Sequence, residues 1–236
     1  MVEPAETRRG FAGRLLGVWL DPGAEFRAIA ASATFWAPLV AWTLLSILFT
    51  GLWLYKVDVL EYVRAQADLA GRPMAPAAQT AAAARVLQVS WLFGACVGPA
   101  LTSFIVAGAL FVAFRAVRRP ISFGPALTVS TYALLGVTVV SLLATVLALA
   151  IQNDWNQPVE TALKSNLGAL LDRQALPPWI YVLAGSLDVF TIWTVVLLAH
   201  GCRWASGATF AESLKVTAAL WVLYVAAKVG AAALLH

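Results

Sequence analysis

One carboxylate and one amine interrupt the apolar runs near the end of this sequence. Asp188 lies inside the apolar run Trp179–Leu198, and Lys228 lies inside the final apolar run. A carboxylate at the centre of a membrane helix costs about 2.5–3.5 kcal/mol on insertion scales, so a compensating group is expected. Asp188 stands twelve residues before His200, and Lys228 stands twelve residues after Val216. If both runs are helices, each residue lies about 18 Å from the same membrane face, which predicts that the two meet as an ion pair or through a water.

This pair permits more than one role. In a functional interpretation it is a proton or ion relay, or a polar groove for lipid headgroups. In a structural interpretation it fixes how two helices dock. A further alternative separates the residues, with Lys228 reaching to the outer surface and Asp188 bonding to the hydroxyl of Thr191 or Ser186. A single pair without other intramembrane carboxylates favours the structural interpretation.

The composition indicates a membrane protein. Of the 236 residues, 61% are hydrophobic and only 12% are charged, whereas soluble domains carry roughly 25% charged residues. The 10 tryptophans suit the boundary between membrane and water. The net charge of +4 is spread over connecting segments, which favours anionic lipid headgroups over nucleic acid as the partner. Two cysteines imply no disulfide framework.

Enzyme motifs are missing from the sequence. It has no Gly-x-Ser-x-Gly elbow, no His-Glu-x-x-His, no P-loop and no dinucleotide-binding fingerprint. Its two histidines, His200 and His236, stand at a helix end and at the last position. We therefore expect no catalytic residues, no cofactor and no metal site.

We predict an all-α, polytopic fold with five transmembrane helices, because only helices satisfy their own backbone groups in lipid in such a chain. The membrane domain covers residues 35–235, and its predicted spans are 35–55, 86–117, 126–151, 179–200 and 216–235. The alanine-rich residues ahead of the second span are expected to begin that helix in water. In the third span, hydroxyls are expected to bond back to their own helix, at Ser130, Thr131, Ser141 and Thr145. Between the third and fourth spans, a helical spacing predicts an amphipathic piece built from Val159, Leu163, Leu167, Leu170 and Leu171.

Residues 1–34 are predicted to form a separate cytoplasmic segment. Their sequence pattern predicts two short amphipathic helices. Asp21 is a good N-cap for the second helix, and Pro22 suits its first position. A basic edge and a tryptophan favour helices that lie in the membrane interface. The residues expected to contact lipid are Phe11, Leu15, Trp19 and Phe26. The alternative is that this segment packs on the protein's own loops.

The second span contains glycines at a spacing that permits close helix packing. Gly94 and Gly98 stand four residues apart, and Pro99 is expected to kink the helix. Packing within one chain is the favoured interpretation, and contact with a second copy is the alternative.

Three arginines lie in or beside a very short connector, and their position indicates how the chain is oriented in the membrane. Arg115, Arg118 and Arg119 flank the turn between the second and third spans. They are expected to hold this turn on the cytoplasmic side, to bind lipid phosphates, or to do both. With five spans, the N-terminus is then cytoplasmic and the C-terminus outside.

The sequence resembles the Yip family, the Ypt/Rab-interacting membrane proteins with a "Yip-one" domain, in a bacterial form. The stretches that carry the resemblance are "LDPGAEFRAI" at 20–29, "ISFGPALTVSTYALLG" at 121–136 and "SLDVFTIWTVVLLAHG" at 186–201. Within the last stretch the positions similar to the family include Asp188, Phe190, Trp193 and Gly201. The resemblance implies five membrane helices, a cytoplasmic N-terminus and no catalytic activity.

Partners follow from the same resemblance. Eukaryotic relatives bind small prenylated GTPases in vesicle traffic, but their Asp-Leu-Tyr-Gly-Pro stretch is replaced here by "ATFWAP" ahead of the first span. We therefore expect a bacterial inner-membrane protein whose partners are membrane lipids, other membrane proteins or a second copy of itself. The leading hypothesis is a non-enzymatic membrane-organising scaffold. The alternative is a small ion or lipid transporter or channel that uses Asp188 and Lys228.

Overall fold

The computed structural model describes residues 10–32, 34–69, 76–157, 162–171 and 176–234, and these residues are mainly helical. A 3-10 turn at Leu167–Leu170 precedes the last three helices. The α-helices are α1 Phe11–Leu20, α2 Pro22–Ser32, α3 Trp36–Lys56, α4 Val59–Leu69, α5 Ala77–Ala116, α6 Phe123–Gln152, α7 Pro178–Ser186, α8 Val189–Ser206 and α9 Phe210–Leu234.

Four of the described helices, α3, α5, α6 and α9, are long and apolar enough to cross a membrane. They correspond to four of the five predicted spans. The alanine-rich residues ahead of the second span are helical as predicted, since α5 starts at Ala77 and runs for 40 residues; that this part lies in water stays a prediction. At 1.5 Å per residue α5 is about 60 Å long, roughly twice the thickness of the hydrocarbon layer.

The fourth predicted span is interrupted, which corrects the expectation of one continuous helix over 179–200. The nine-residue helix α7 ends at Ser186, and the 18-residue helix α8 begins at Val189. Asp188 therefore stands at a helix start and not in the middle of a helix. The physical reason is that aspartate is a preferred N-cap: the Asp188 carboxylate accepts hydrogen bonds from the backbone of Phe190 and Thr191 and so caps the start of α8.

The hydroxyl groups of α6 behave as the sequence predicts. Ser130 donates to the carbonyl of Ala126, and Thr131 to those of Leu127 and Thr128. Further along, Ser141 donates to the carbonyl of Thr138 and Thr145 to that of Ser141. A polar α6 side chain can thus lie in an apolar setting without an unsatisfied donor.

The prediction of an amphipathic helix between the third and fourth spans is wrong for Leu163, Leu167, Leu170 and Leu171, which the structure describes. Over 162–171 the chain makes the 3-10 turn at Leu167–Leu170, ahead of which Asn166 is in an extended conformation. The amide oxygen of Asn166 accepts a hydrogen bond from the backbone of Ala169 and so caps the turn. Val159 lies outside the described residues.

The chain divides into two compact units. The first contains residues 1–39, 103–137 and 192–226, and the second contains residues 40–102, 138–191 and 227–236. The core of the first unit includes the fully buried side chains of Phe26, Phe114 and Leu197. The core of the second unit is a cluster built around Trp53, with Leu149 as its most deeply buried aliphatic residue.

Candidate functional site

The junction between α1 and α2 is built as the sequence predicts. The backbone N–H of Asp21 donates to the carbonyl of Gly17 at 2.9 Å, which closes α1. The Asp21 carboxylate then accepts a hydrogen bond from the backbone N–H of Ala24 at 3.1 Å. The backbone carbonyl of Asp21 accepts one from the N–H of Glu25. Asp21 is therefore the N-cap of α2, with Pro22 in the first helical position.

The two N-terminal helices bury one face in the first unit and leave apolar side chains exposed on α1. Val18, Phe26 and Ile29 are fully buried. Phe26 is thus a core residue, not a lipid contact, which corrects the expectation for this side chain. Leu16 and Leu20 are exposed by 53% and 84%. They are the most exposed large apolar side chains of α1, whereas Leu15, which was predicted to contact lipid, is half-buried.

Three glycines make this close docking possible. Side chains of Val18 and Trp19 pack over Gly136 on α6, where an added Cβ would lie 3.1 Å from Val18 Cγ1. On α8, an added Cβ at Gly201 would collide with Val129 and press on Phe26.

The third glycine, Gly17 on α1, gives room to the Glu25 carboxylate. A side chain at Gly136 or Gly201 would push the N-terminal helices away from α6 and α8, whereas one at Gly17 would displace the Glu25 side chain of α2. Gly201, singled out by the family resemblance, thereby has a physical role.

Two indole groups fasten the N-terminal helices to distant parts of the first unit. Trp19 Nε1 donates to the carbonyl of Gly136 at 2.9 Å, across 117 residues of sequence. Trp204 Nε1 donates to the carbonyl of Gly23 at 2.8 Å, across 181 residues. Trp19 was expected to be an interfacial anchor, and its indole instead bonds to protein. Phe11 also contacts protein, with its ring 6.3 Å from that of Tyr132.

A buried carboxylate, that of Glu25 on α2, lies against Gly17 of α1. Glu25 is only 6% exposed, and it lies within electrostatic range of the Tyr132 hydroxyl, which accepts a hydrogen bond from the side chain of Arg14. A buried charge is costly unless other groups compensate it, so this cluster ties helix docking to a specific polar arrangement. Sequence analysis missed the burial of Glu25, although its position three residues after Pro22 places it on the same turn as Phe26.

Basic and aromatic side chains line the outer edge of the docked helices. The guanidinium of Arg27 lies 5.4 Å from the ring centre of Trp204, and that of Arg203 lies 4.9 Å from it. Trp204 keeps 37% of its surface exposed. We call Arg27, Arg203 and Trp204 the basic rim. Two guanidinium groups on an indole form an electropositive surface suited to phosphate groups at a membrane boundary.

The three arginines of the α5–α6 turn are all exposed. Arg115 stacks on Phe111, with its guanidinium carbon 4.5 Å from the ring centre, and Arg119 forms an ion pair with Glu212 at 3.1 Å. Arg118 has a φ of 60°, a left-handed conformation that closes the turn after α5. Their role as topology anchor or phosphate site stays a prediction.

Asp188 is placed by the break between α7 and α8. Its carboxylate accepts hydrogen bonds from the backbone of Phe190 at 2.8 Å and of Thr191 at 3.1 Å, and it also accepts one from the hydroxyl of Ser165. One alternative drawn from the sequence was that Asp188 bonds to the hydroxyl of Thr191 or Ser186. The carboxylate does bond to a hydroxyl, but to that of Ser165. The hydroxyl of Ser186 instead donates to the carbonyl of Val182.

Backbone groups complete the contact between the helix break and the Ser165 segment. The N–H of Val189 donates to the carbonyl of Ser165 at 3.2 Å, and the N–H of Leu167 donates to the carbonyl of Leu187 at 3.3 Å. This short bridge satisfies backbone groups that a helix interruption would otherwise leave unpaired.

Lys228 lies in α9 with an exposed side chain, whereas Asp188 is half-buried. The Asp188–Lys228 pair stays a prediction. Trp193 and Phe190, from the same family-like stretch, lie in the first two turns of α8. Among the residues described, no cluster of three His, Cys, Asp or Glu side chains could hold a metal ion.

The glycines predicted to pack helices in the second span meet open space. A Cβ added at Gly94 or Gly98 would find no atom of the described chain within 4 Å, although Pro99 beside them is buried. Close packing against another described helix at these two glycines is therefore wrong. Packing against a second copy stays a prediction.

Comparison with known proteins identifies the family. A family model described as the Yip1 domain matches residues 16–232. The match includes the docked helix α2, the glycines at 17, 136 and 201, and the helix break at Asp188. No curated protein and no solved structure shows a significant match to the chain.

Proposed function

This chain belongs to the Yip1 domain family, and on that premise we propose that it is a non-enzymatic scaffold that organises the membrane through its docked N-terminal helices. Among the described residues, four helices are long and apolar enough to cross a membrane, which supports an integral membrane protein. The proposed setting is a bacterial inner membrane, with a cytoplasmic N-terminus, a fifth crossing made by α7 and α8 together, and the C-terminus outside. The proposed partners are anionic lipids, and other membrane proteins or further copies of the chain.

The observation that carries the proposal is the two-sided character of α1 and α2. One side is fixed to the first unit by buried side chains and by the indole hydrogen bonds of Trp19 and Trp204. The other side exposes Leu16 and Leu20 next to helices that carry the basic rim. An apolar edge with neighbouring basic groups favours insertion at the headgroup level of an anionic bilayer. A rigidly held wedge of this kind can impose curvature on the lipid around it.

Reconstitution into liposomes tests this proposal. We expect the wild-type chain, at rising protein-to-lipid ratios, to reduce the diameter of phosphatidylglycerol-containing liposomes seen by cryo-electron microscopy. The variant Leu16→Ser/Leu20→Ser should lose this effect because it removes the exposed apolar edge. Leu234→Ser is the matched control, since Leu234 is 88% exposed at the far end of α9. Equal liposome diameters for wild type and the Leu16/Leu20 variant would refute the scaffold.

Transport is the second candidate function, because transporters often place binding groups at the ends of discontinuous helices. The break at Asp188 supplies such an end with a half-buried carboxylate. A flux assay in liposomes comparing wild type with Asp188→Asn tests it. An ion leak that falls in the variant supports transport, and an identical background leak in both refutes it.

A further inference from the structure

An open groove of about 560 Å³ lies in the second unit, where α3 ends and α4 begins. One wall is the α3–α4 corner with Lys56 and Asp58, and the other is the alanine-rich start of α5 with Ala81, Arg85 and Gln88. The basic rim has no residue in this groove. The groove is therefore a separate candidate site, independent of the scaffold proposal.

Aromatic packing holds the walls of the groove in place. Trp53 of α3 packs edge-on against Trp91 of α5, with ring centres 4.3 Å apart. Tyr62 of α4 contacts both indoles, at 5.5 Å from Trp53 and 5.4 Å from Trp91. Trp53 also donates to the carbonyl of Trp155 at 3.1 Å. Each of the three helices contributes one ring, so the groove has a preformed shape.

The groove lining carries a net positive charge, because Lys56 and Arg85 outnumber the single carboxylate of Asp58. The Asp58 carboxylate is occupied as the N-cap of α4, accepting hydrogen bonds from Leu60 at 2.9 Å and Glu61 at 3.0 Å. Lys56 and Arg85 are exposed, and neither forms an ion pair within the described ranges of the chain. The Lys56 ammonium lies 5.7 Å from the ring centre of Tyr55, which leaves its hydrogen-bond donors available to a ligand.

Each of these two cations stands at the head of an exposed apolar ridge. Residues four apart on a helix lie along one ridge. The ridge of α3 that ends at Lys56 consists of Leu44, Leu48 and Leu52, which are 55%, 70% and 40% exposed. The ridge of α5 that begins at Arg85 consists of Val89, Phe93 and Val97, which are 67%, 67% and 38% exposed. Both ridges belong to helices that are apolar enough to cross a membrane.

We propose that this groove binds the phosphate-bearing headgroup of an anionic phospholipid. Lys56 and Arg85 contact the phosphate, and Gln88 hydrogen-bonds the rest of the headgroup. The acyl chains lie along the two apolar ridges. This occupant matches the charge of the groove, its volume and the adjoining hydrophobic surfaces at once.

A lipid titration of the full-length chain in neutral detergent tests the proposal. The melting temperature is followed while phosphatidylglycerol, phosphatidylcholine or inorganic phosphate is added. The variants are Lys56→Gln/Arg85→Gln, which removes the charges, and Ala81→Phe, which keeps the charges but fills the groove. Arg64→Gln is the matched control, because Arg64 is an exposed arginine of α4 that does not line the groove.

We expect phosphatidylglycerol to raise the melting temperature of wild type and of Arg64→Gln at the same concentration. Lys56→Gln/Arg85→Gln should need about 10- to 30-fold more lipid, given the attraction of two basic groups to anionic lipid. Ala81→Phe should show a similar loss of apparent affinity for phosphatidylglycerol. If the double variant fails to fold, Ala81→Phe alone tests whether the groove binds the lipid. Equal apparent affinity in wild type and a folded groove variant would overturn the proposal. The same holds for an equal response to phosphatidylcholine, or for inorganic phosphate alone giving the full shift, which would indicate an adventitious ion only.

Discussion

The hydroxyl of Ser165 donates a hydrogen bond to the carboxylate of Asp188, joining a non-helical segment to the start of α8. This contact explains how an acidic residue is accommodated in an apolar stretch. The carboxylate accepts from two backbone amides of α8 as well as from the hydroxyl. An anionic group at the first turn of a helix is also favoured by the helix dipole.

Removing the cap should destabilise the second unit. We expect Asp188→Ala to lower the free energy of unfolding by about 1–3 kcal/mol, because two amide donors and one hydroxyl lose their acceptor. Ser165→Ala should cost about 1 kcal/mol, since it removes one donor only. Denaturant titration in detergent, followed by tryptophan fluorescence, measures both. Equal stability of Asp188→Ala and wild type would show that the cap does not form.

The predicted Asp188–Lys228 pair can be tested by a double-mutant cycle with Asp188→Asn and Lys228→Met. If the two side chains pair, the cycle should give a coupling energy of about 0.5–1 kcal/mol, as for partly exposed ion pairs. The asparagine keeps a capping oxygen, so the cycle reports the charge and not the cap. Additive effects of the two changes would rule the pair out.

Gly201→Ala should displace the docked helices. The added methyl group collides with Val129 and presses on Phe26, which predicts a loss of about 1–3 kcal/mol in the free energy of unfolding. Gly94→Ala is the control: its methyl group meets no described atom, and removing a helical glycine should gain up to about 1 kcal/mol. Light scattering on the same samples tests the alternative for Gly94, because a dimer lost in Gly94→Ala would show that a second copy packs there.

Trp19→Phe should loosen α1 without unfolding the rest of the chain. The phenyl ring retains most of the apolar contact but cannot donate to Gly136, which predicts a cost of about 0.5–1.5 kcal/mol. Hydrogen exchange of the α1 backbone amides should rise in this variant. Trp36→Phe is the matched control, because Trp36 is 67% exposed and should leave α1 exchange unchanged. Identical α1 exchange in wild type and Trp19→Phe would contradict the fastening role of the indole.

Glycine substitutions in the arginine turn should have opposite signs. Arg118→Gly relieves a left-handed conformation and should stabilise the fold by about 1 kcal/mol. Arg115→Gly places glycine in the last turn of α5 and should destabilise it by about 1 kcal/mol. Thermal denaturation in detergent compares the two at equal loss of charge. If both changes lower the melting temperature alike, the Arg118 side chain stabilises the turn more than its strained backbone costs.

The sequence predicts the long helices well, because their length and apolar character are local properties. It predicts the Asp21 cap and the back-bonded hydroxyls of α6 for the same reason, since both involve residues at most four positions apart. The break at Asp188 had a local signal as well, an acidic N-cap residue close behind Gly185. The continuous apolar run on either side concealed it, because a buried helix and two shorter helices have the same composition.

The position of the N-terminal helices could not be predicted from the sequence. An amphipathic pattern shows that an apolar face needs cover, but lipid and protein satisfy that need equally well. For Phe26 the cover is protein, and the deciding residues are far away in sequence, among them Gly201. The groove at Lys56 and Arg85 had no sequence signal, because its two cations belong to different helices.

The hydrogen bond between Trp204 and Gly23 joins residues that leave the ribosome at very different times. With 181 residues between them and synthesis at about 5–20 residues per second, the N-terminal helices wait roughly 9–36 s for their docking surface to be made. Until α8 is made, Phe26 lacks the part of its cover that the chain around Gly201 supplies. During that interval something other than α8 has to cover this face of Phe26, and the adjacent bilayer surface is an apolar environment that can do so.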